Sequence, residues 1–167
     1  MHHPVSVTRL GDFTATRRDI PLDDVLRFMS LIWAIDHELE RVSKRMESRI
    51  GLTIPQRLSL LLIGRNPGIL ASELAAVLHL HRGTLSGVVR RLEAAGFVTR
   101  TMDARDARRA GLTLTAAGRS MNRRRAGTFE DAARRVLESI QPAERSAAEH
   151  VLARLGTELR AVSDGTP

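Results

Sequence analysis

The sequence predicts a mainly α-helical chain that carries one two-stranded β hairpin. Three observations lead there. Apolar residues recur at i, i+3, i+4 spacing through most of the 167 residues. Turn signals (Gly51, Asn66-Pro67-Gly68, Gly96) cut that pattern into short segments near the middle and long ones at either end. Only Phe97–Thr101 and Ala110–Leu114 read as strands, joined by the charged loop Met102–Arg109.

The elements follow in order. Residues 1–21 have weak periodicity and read as a loosely docked extension. Pro21 is a helix-start signal. From Leu22, the positions Val25, Leu26, Met29, Ile32, Trp33, Leu39, Val42 and Met46 predict an amphipathic helix over 22–50. Thr53 or Ile54 caps a second helix with Pro55 in its first turn and a body from Gln56 to Gly64. A third covers Ser72–Leu78, without a capping side chain at Ala71 unless Ser72 substitutes. A fourth runs from Arg82 to Ala95 and stops at Gly96. Thr115 caps a helix running toward Ile140, Pro142 starts the last one, and residues 163–167 form a tail. The region 51–115 is therefore one lobe, flanked by helices 22–50 and 116–162 whose apolar stripes need a partner. The economical partner is a second copy of the chain.

Composition narrows the function. The net charge is +7, and seven Arg but only three acidic residues lie between Arg82 and Arg109. Aromatic residues make up 3%, with no Tyr, which argues against stacking platforms for single-stranded nucleic acid. The absence of cysteine excludes disulfides, thiolate metal sites and thiol redox sensing. No apolar run reaches membrane-span length and the N-terminus lacks a signal-peptide core, so the expected compartment is the cytoplasm. No Gly-rich phosphate loop, HExxH or nucleophile motif points to an enzyme, and no cofactor or metal is expected.

The third and fourth helices, with a tight turn between them, form a helix-turn-helix, in which the second helix reads the DNA major groove. Leu85, Val88, Val89 and Leu92 make its inner face. Arg82, Thr84, Ser86, Gly87 and Arg90 lie largely outside that face and are the candidate readers, since Arg can bond guanine bidentately. Gly83 and Gly87 weaken a helix. Either they let DNA approach closely or they relieve packing against the preceding helix. Arg105, Arg108 and Arg109 in the hairpin are candidate minor-groove or phosphate contacts, with Asp106 pairing Arg108 or Arg91. Arg123-Arg124-Arg125 reads equally as a phosphate contact and as a solvated helix face. His79 and His81 lack a nearby carboxylate at ligand spacing and make a poor metal site. A non-specific architectural DNA binder is the competing reading, although it needs no polar, Gly-containing reading face.

Taken together, the stretch resembles the MarR family of winged helix-turn-helix regulators. The matching pieces are Leu52-Thr53-Ile54-Pro55-Gln56, Glu73-Leu74-Ala75, Thr84-Leu85-Ser86 with Arg91-Leu92-Glu93, and Gly96-Phe97-Val98. Asp103-x-x-Asp106-x-Arg108 in the wing and Leu114-Thr115-x-x-Gly118 complete the set, and the resemblance covers about residues 22–162. It implies a homodimer on a palindromic double-stranded DNA operator, usually a repressor, often released by a small-molecule effector. It also implies an effector site where the long helices meet the DNA-binding lobe. Candidate ligand-binding residues there are Trp33, His37, Arg41 and Arg57, suited to an aromatic carboxylate. The alternative is that Trp33 is plain core and the others are surface groups. The chain departs from the family at Leu78-His79-Leu80-His81, where His79 must take a conformation that Gly takes more easily.

Overall fold

The computed structural model describes residues 22–103 and 106–165, with backbone alone at 102, 103 and 106–109. The expected N-terminal extension lies outside the described residues. The chain divides into two compact units, the first ending at Arg124 and the second beginning at Arg125.

In the first unit, α1 spans Asp24–Ile50. Its cap is Asp23, whose Oδ1 accepts from the Leu26 N–H at 2.8 Å. Gly51 ends it in the left-handed region at φ +73°. Met46 is buried, whereas Val25, Leu26, Met29 and Trp33 are exposed. Helix α2 (Ile54–Arg65) follows, and Gln56 Oε1 accepts from the Thr53 N–H at 2.8 Å to cap its first turn. The Ile54 N–H donates to Ser43 Oγ at 3.1 Å, tying the start of α2 to α1.

The Asn66-Pro67-Gly68 turn leads into a short strand that the sequence pattern did not predict, β1 (Ile69–Leu70). Two residues carry no alternation to read. The strand exists because β3 (Asp106–Leu114) offers it a partner. With β2 (Val98–Asp103), the sheet is three-stranded, antiparallel and ordered β1-β3-β2. The wing strands are also longer than expected, since the residues assigned to a loop over 102–109 extend the ladder to a pairing of Asp103 with Asp106.

Helix α3 (Ala71–Val77) begins one residue earlier than expected. The cap position is therefore Leu70 rather than Ala71. The missing hydroxyl is replaced by Glu73, whose Oε2 accepts from the Leu70 N–H at 2.9 Å. The turn into α4 (Arg82–Ala94) passes through His79 at φ +52°, the only non-glycine residue with positive φ among those described. The Leu80 N–H closes this turn on the Ala75 carbonyl at 3.0 Å. A side chain costs about 1–2 kcal/mol in that conformation, and glycine pays instead in the unfolded state. His79→Gly is accordingly expected to stabilise the chain by about 0.5–1 kcal/mol. A thermal midpoint that stays level or falls would show that the histidine sits there without strain.

Leu52, Leu60, Ile63, Leu74, Leu85, Val89, Leu92 and Leu112, drawn from α2, α3, α4, β3 and the turn before α2, are each at most 2% exposed and form the core. Helix α5 (Ala116–Arg123) closes the unit. The Thr115 hydroxyl accepts from the Gly118 N–H at 3.0 Å and donates to the Gly96 carbonyl at 2.6 Å.

The single helix expected from Thr115 to Ile140 is two helices. Arg124 leaves α5 with extended backbone, Gly127 takes φ +74°, and α6 (Phe129–Ser139) starts afresh in the second unit. A residue distant in sequence meets the end of α5. Arg57 in α2 donates to the carbonyls of Met121 (2.8 Å), Asn122 (3.3 Å) and Arg124 (2.5 Å). The guanidinium thereby satisfies carbonyls at the end of α5, while the Met121 carbonyl also accepts from the Arg124 N–H at 3.1 Å. Helix α7 (Pro142–Ser163) has Pro142 in its first turn, as expected, and Glu144 Oε2 accepting from the Gln141 N–H at 2.7 Å. Val151, Leu152, Leu159 and Val162 on α7 are exposed. Among the described residues, no helix is long and apolar enough to cross a membrane.

Candidate nucleic-acid interface

Helix α4 owes its orientation to one stripe. Leu85, Val88, Val89 and Leu92 are 0–7% exposed and fix which side turns outward. At 100° per residue, the direction opposite that stripe is occupied by Gly83, Gly87, Arg90 and Ala94. Arg82, Ser86 and Glu93 lie on one flank of this outward face, and Thr84 and Arg91 on the other. Of these, Arg82, Gly83, Thr84, Ser86, Arg90 and Arg91 are exposed, and Gly87 is half-buried.

The surroundings of the two glycines bear on one of their two readings. A Cβ added at Gly83 or Gly87 would meet nothing within 4 Å. Relief of packing within the chain is therefore not why glycine stands there. A smooth outward strip leaves room for another surface to approach the helix backbone.

On the Arg82 flank, an open groove of about 470 Å³ is lined by Ala71, Ser72, Arg82, Leu85, Ser86, Val89 and Arg100. Arg100, on β2, was not among the residues expected from sequence. Its Nε donates to Glu93 Oε1 at 2.8 Å, and the two side chains remain 47% and 30% exposed. The signal that could have found it is Glu93 seven residues earlier on α4, but only the docking of β2 on α4 makes that spacing meaningful.

The side chains of Arg105, Arg108 and Arg109, and the pairing expected of Asp106, lie outside those described. Arg123, Arg124 and Arg125 are exposed. His79 and His81 are exposed at the turn, and His81 stands at the α4 cap position without a capping bond from its side chain.

The expected effector residues divide. Trp33 is 78% exposed, so within this chain it is not core. His37 and Arg41 are exposed one and two turns further along α1, and Arg41 pairs with Glu38 at 2.7 Å. Arg57 does not join them. It is 1% exposed, and its guanidinium holds the end of α5. Within this chain it acts as a structural clamp.

The comparisons with known proteins agree with this architecture. The MarR family model matches residues 50–109. The HTH-type transcriptional regulator TtmR of Methylorubrum extorquens is 34% identical over 119 residues, 70% of this chain and 60% of TtmR. The HTH-type transcriptional repressor Rv2887 of Mycobacterium tuberculosis is 31% identical over 111 residues, 66% of this chain and 80% of that protein. Rv2887 crystallised in complex with p-aminosalicylic acid aligns with a TM-score of 0.51 and 28% identity, over 75% of this chain and 95% of that one. The crystal structure of MarR aligns with a TM-score of 0.58 and 29% identity, over 89% of this chain and 97% of that one. The chain thus spans about three fifths of TtmR and four fifths of Rv2887. With this likeness, the α3–α4 pair, the three-stranded sheet and the flanking helices place the chain in the MarR family of transcriptional regulators.

Proposed function

We propose that the protein is a homodimeric repressor acting in the cytoplasm on palindromic double-stranded DNA. The observation that carries this reading is the outward face of α4. Gly83 and Gly87 leave space there, Arg90 stands in line with them, and Thr84 and Ser86 flank the strip. A helix so built sinks into the major groove and presents an arginine to base edges. The wing, with Arg105, Arg108 and Arg109 in its sequence, reaches the neighbouring minor groove or its phosphates. The uncovered apolar residues of α1 and, separately, of α7 support assembly with a second copy. Two identical reading heads related by a two-fold axis then require a palindromic site. A small aromatic carboxylate acts as the releasing effector. This is supported by the p-aminosalicylic acid complex of Rv2887 and by the aligned Trp33, His37 and Arg41 on α1.

Selection of duplexes from a random pool by the purified protein tests the reading. The expected result is a two-fold symmetric consensus, bound with an affinity that falls steeply with salt, log K losing about 0.9 per contacted phosphate for each unit of log salt. Adding p-aminosalicylic acid should weaken the complex. An unselective pool would instead make the protein an architectural DNA binder.

A further inference from the structure

We infer that Arg82 and Arg100 form a two-guanidinium clamp for a single DNA backbone phosphate, leaving base reading to the Gly83–Gly87–Arg90 strip. The inference rests on the DNA-binding reading above and refines it, since Arg82 then positions the helix instead of reading sequence.

The major groove is about 12 Å wide, and a helix with its side chains is about 10–12 Å across. When the outward strip faces the base edges, the flanks of the helix face the walls of the groove, and those walls are phosphate backbones. Arg82 lies on a flank, with Ser86 one turn further along the same side. Arg100 approaches that flank from β2 and lines the same groove.

Chemistry points the same way. Glu93 takes the Nε–H of Arg100 at 2.8 Å. Among the described residues, the terminal amino groups of Arg100 and the whole guanidinium of Arg82 make no further hydrogen bond. Glu93 thus fixes Arg100 over the groove without using up its donors, as expected of a group that fork-binds an oxyanion. The hydroxyls of Ser72 and Ser86 line the groove too, and Leu85 and Val89 contribute apolar wall. Arg82 and Arg100 are the charged side chains among the described residues that line the groove, so they leave a net positive site, and one phosphate completes it.

The test uses the full chain, the duplex selected from the random pool, and a series of that duplex in which one phosphate at a time is replaced by a neutral methylphosphonate. Arg82→Gln and Arg100→Gln should each weaken binding about tenfold. The loss should be equal on selected and random duplexes, with a shallower salt dependence, and Arg100→Lys should recover part of it. One methylphosphonate position per half-site should abolish the penalty of both substitutions. Arg90→Gln should differ by eroding the preference for the selected duplex. Thermal unfolding of each variant should match the parent, because both arginines are on the surface.

The clamp is overturned if the two penalties map to different phosphates, or if Arg82→Gln changes base preference. It is also overturned if the groove takes inorganic phosphate from solution while neither substitution affects DNA affinity, which would make it a free-anion site. These outcomes leave DNA binding intact. Failure of the parent protein to bind any duplex would overturn the clamp and the function together.

Discussion

Replacing Arg57 with Met should lower the unfolding free energy by about 3–5 kcal/mol, the largest loss expected from one side chain in this protein. Arg57 is 1% exposed and donates to three backbone carbonyls near the end of α5. The last carbonyls of a helix have no partner within it, and the negative end of the helix dipole lies at the same place. A buried guanidinium answers both needs. Methionine is comparably long and apolar, so it replaces the packing and deletes the donors. Each carbonyl left unsatisfied costs about 1–3 kcal/mol. Far-ultraviolet circular dichroism in urea is the right probe, because Trp33 is 78% exposed in the single chain and its fluorescence would report poorly on this core. A loss under about 1 kcal/mol would mean that water replaces the arginine and that the clamp is dispensable.

Gly118→Ala should be nearly as damaging, for a steric reason. A Cβ at Gly118 would run into the carbonyl of Phe97, the residue just before β2. A backbone oxygen cannot swing aside as a side chain does. Relief requires moving the start of the wing or breaking the Thr115 cap, whose hydroxyl joins the Gly118 N–H to the Gly96 carbonyl. The expected loss is about 3 kcal/mol, at the upper end of overpacking effects. Gly87→Ala is the matched control. Nothing stands within 4 Å of its added Cβ, and α4 should gain about 1 kcal/mol from the better helix former. Equal effects of the two substitutions on the unfolding midpoint would refute the steric account.

These cases show where the sequence could be read and where it could not. The buried stripe of α4 was legible because helical period alone sorts Leu85, Val88, Val89 and Leu92 from their neighbours. The glycine stops at Gly51 and Gly96 were legible because left-handed backbone favours one residue type. The positive φ of His79 was legible only through the family resemblance, as a departure at a position that Gly fills more easily. Much of what was missed depends on contacts across the chain. The break between α5 and α6 is linked to an arginine 64 residues earlier, although Gly127 and the Thr128 cap with Glu130 and Asp131 after it are a local signal that was passed over. Strand β1 is too short for periodicity and is defined by its partner. The cap of α3 was sought as a hydroxyl and is a carboxylate from inside the helix. In the candidate interface, the strip on α4 follows from residue spacing. Arg100 enters only because β2 docks beside it, and Arg57 proved to be spoken for by the fold.

The sheet order has a mechanical consequence for the wing. Its return strand, β3, is paired on both sides only at Gly111 and Leu112, where β1 lies across from β2. From Ala110 outward it is paired on one side. The hairpin is therefore a cantilever with its built-in end at Gly111. A Cβ there would come within 2.8 Å of Gly68 Cα, so the mount admits no side chain. Force on the outer wing is delivered to that mount, and through Leu112 to the core on which α4 also rests. The stiffness of the wing is thus set by a two-residue strand at the far end of the lever.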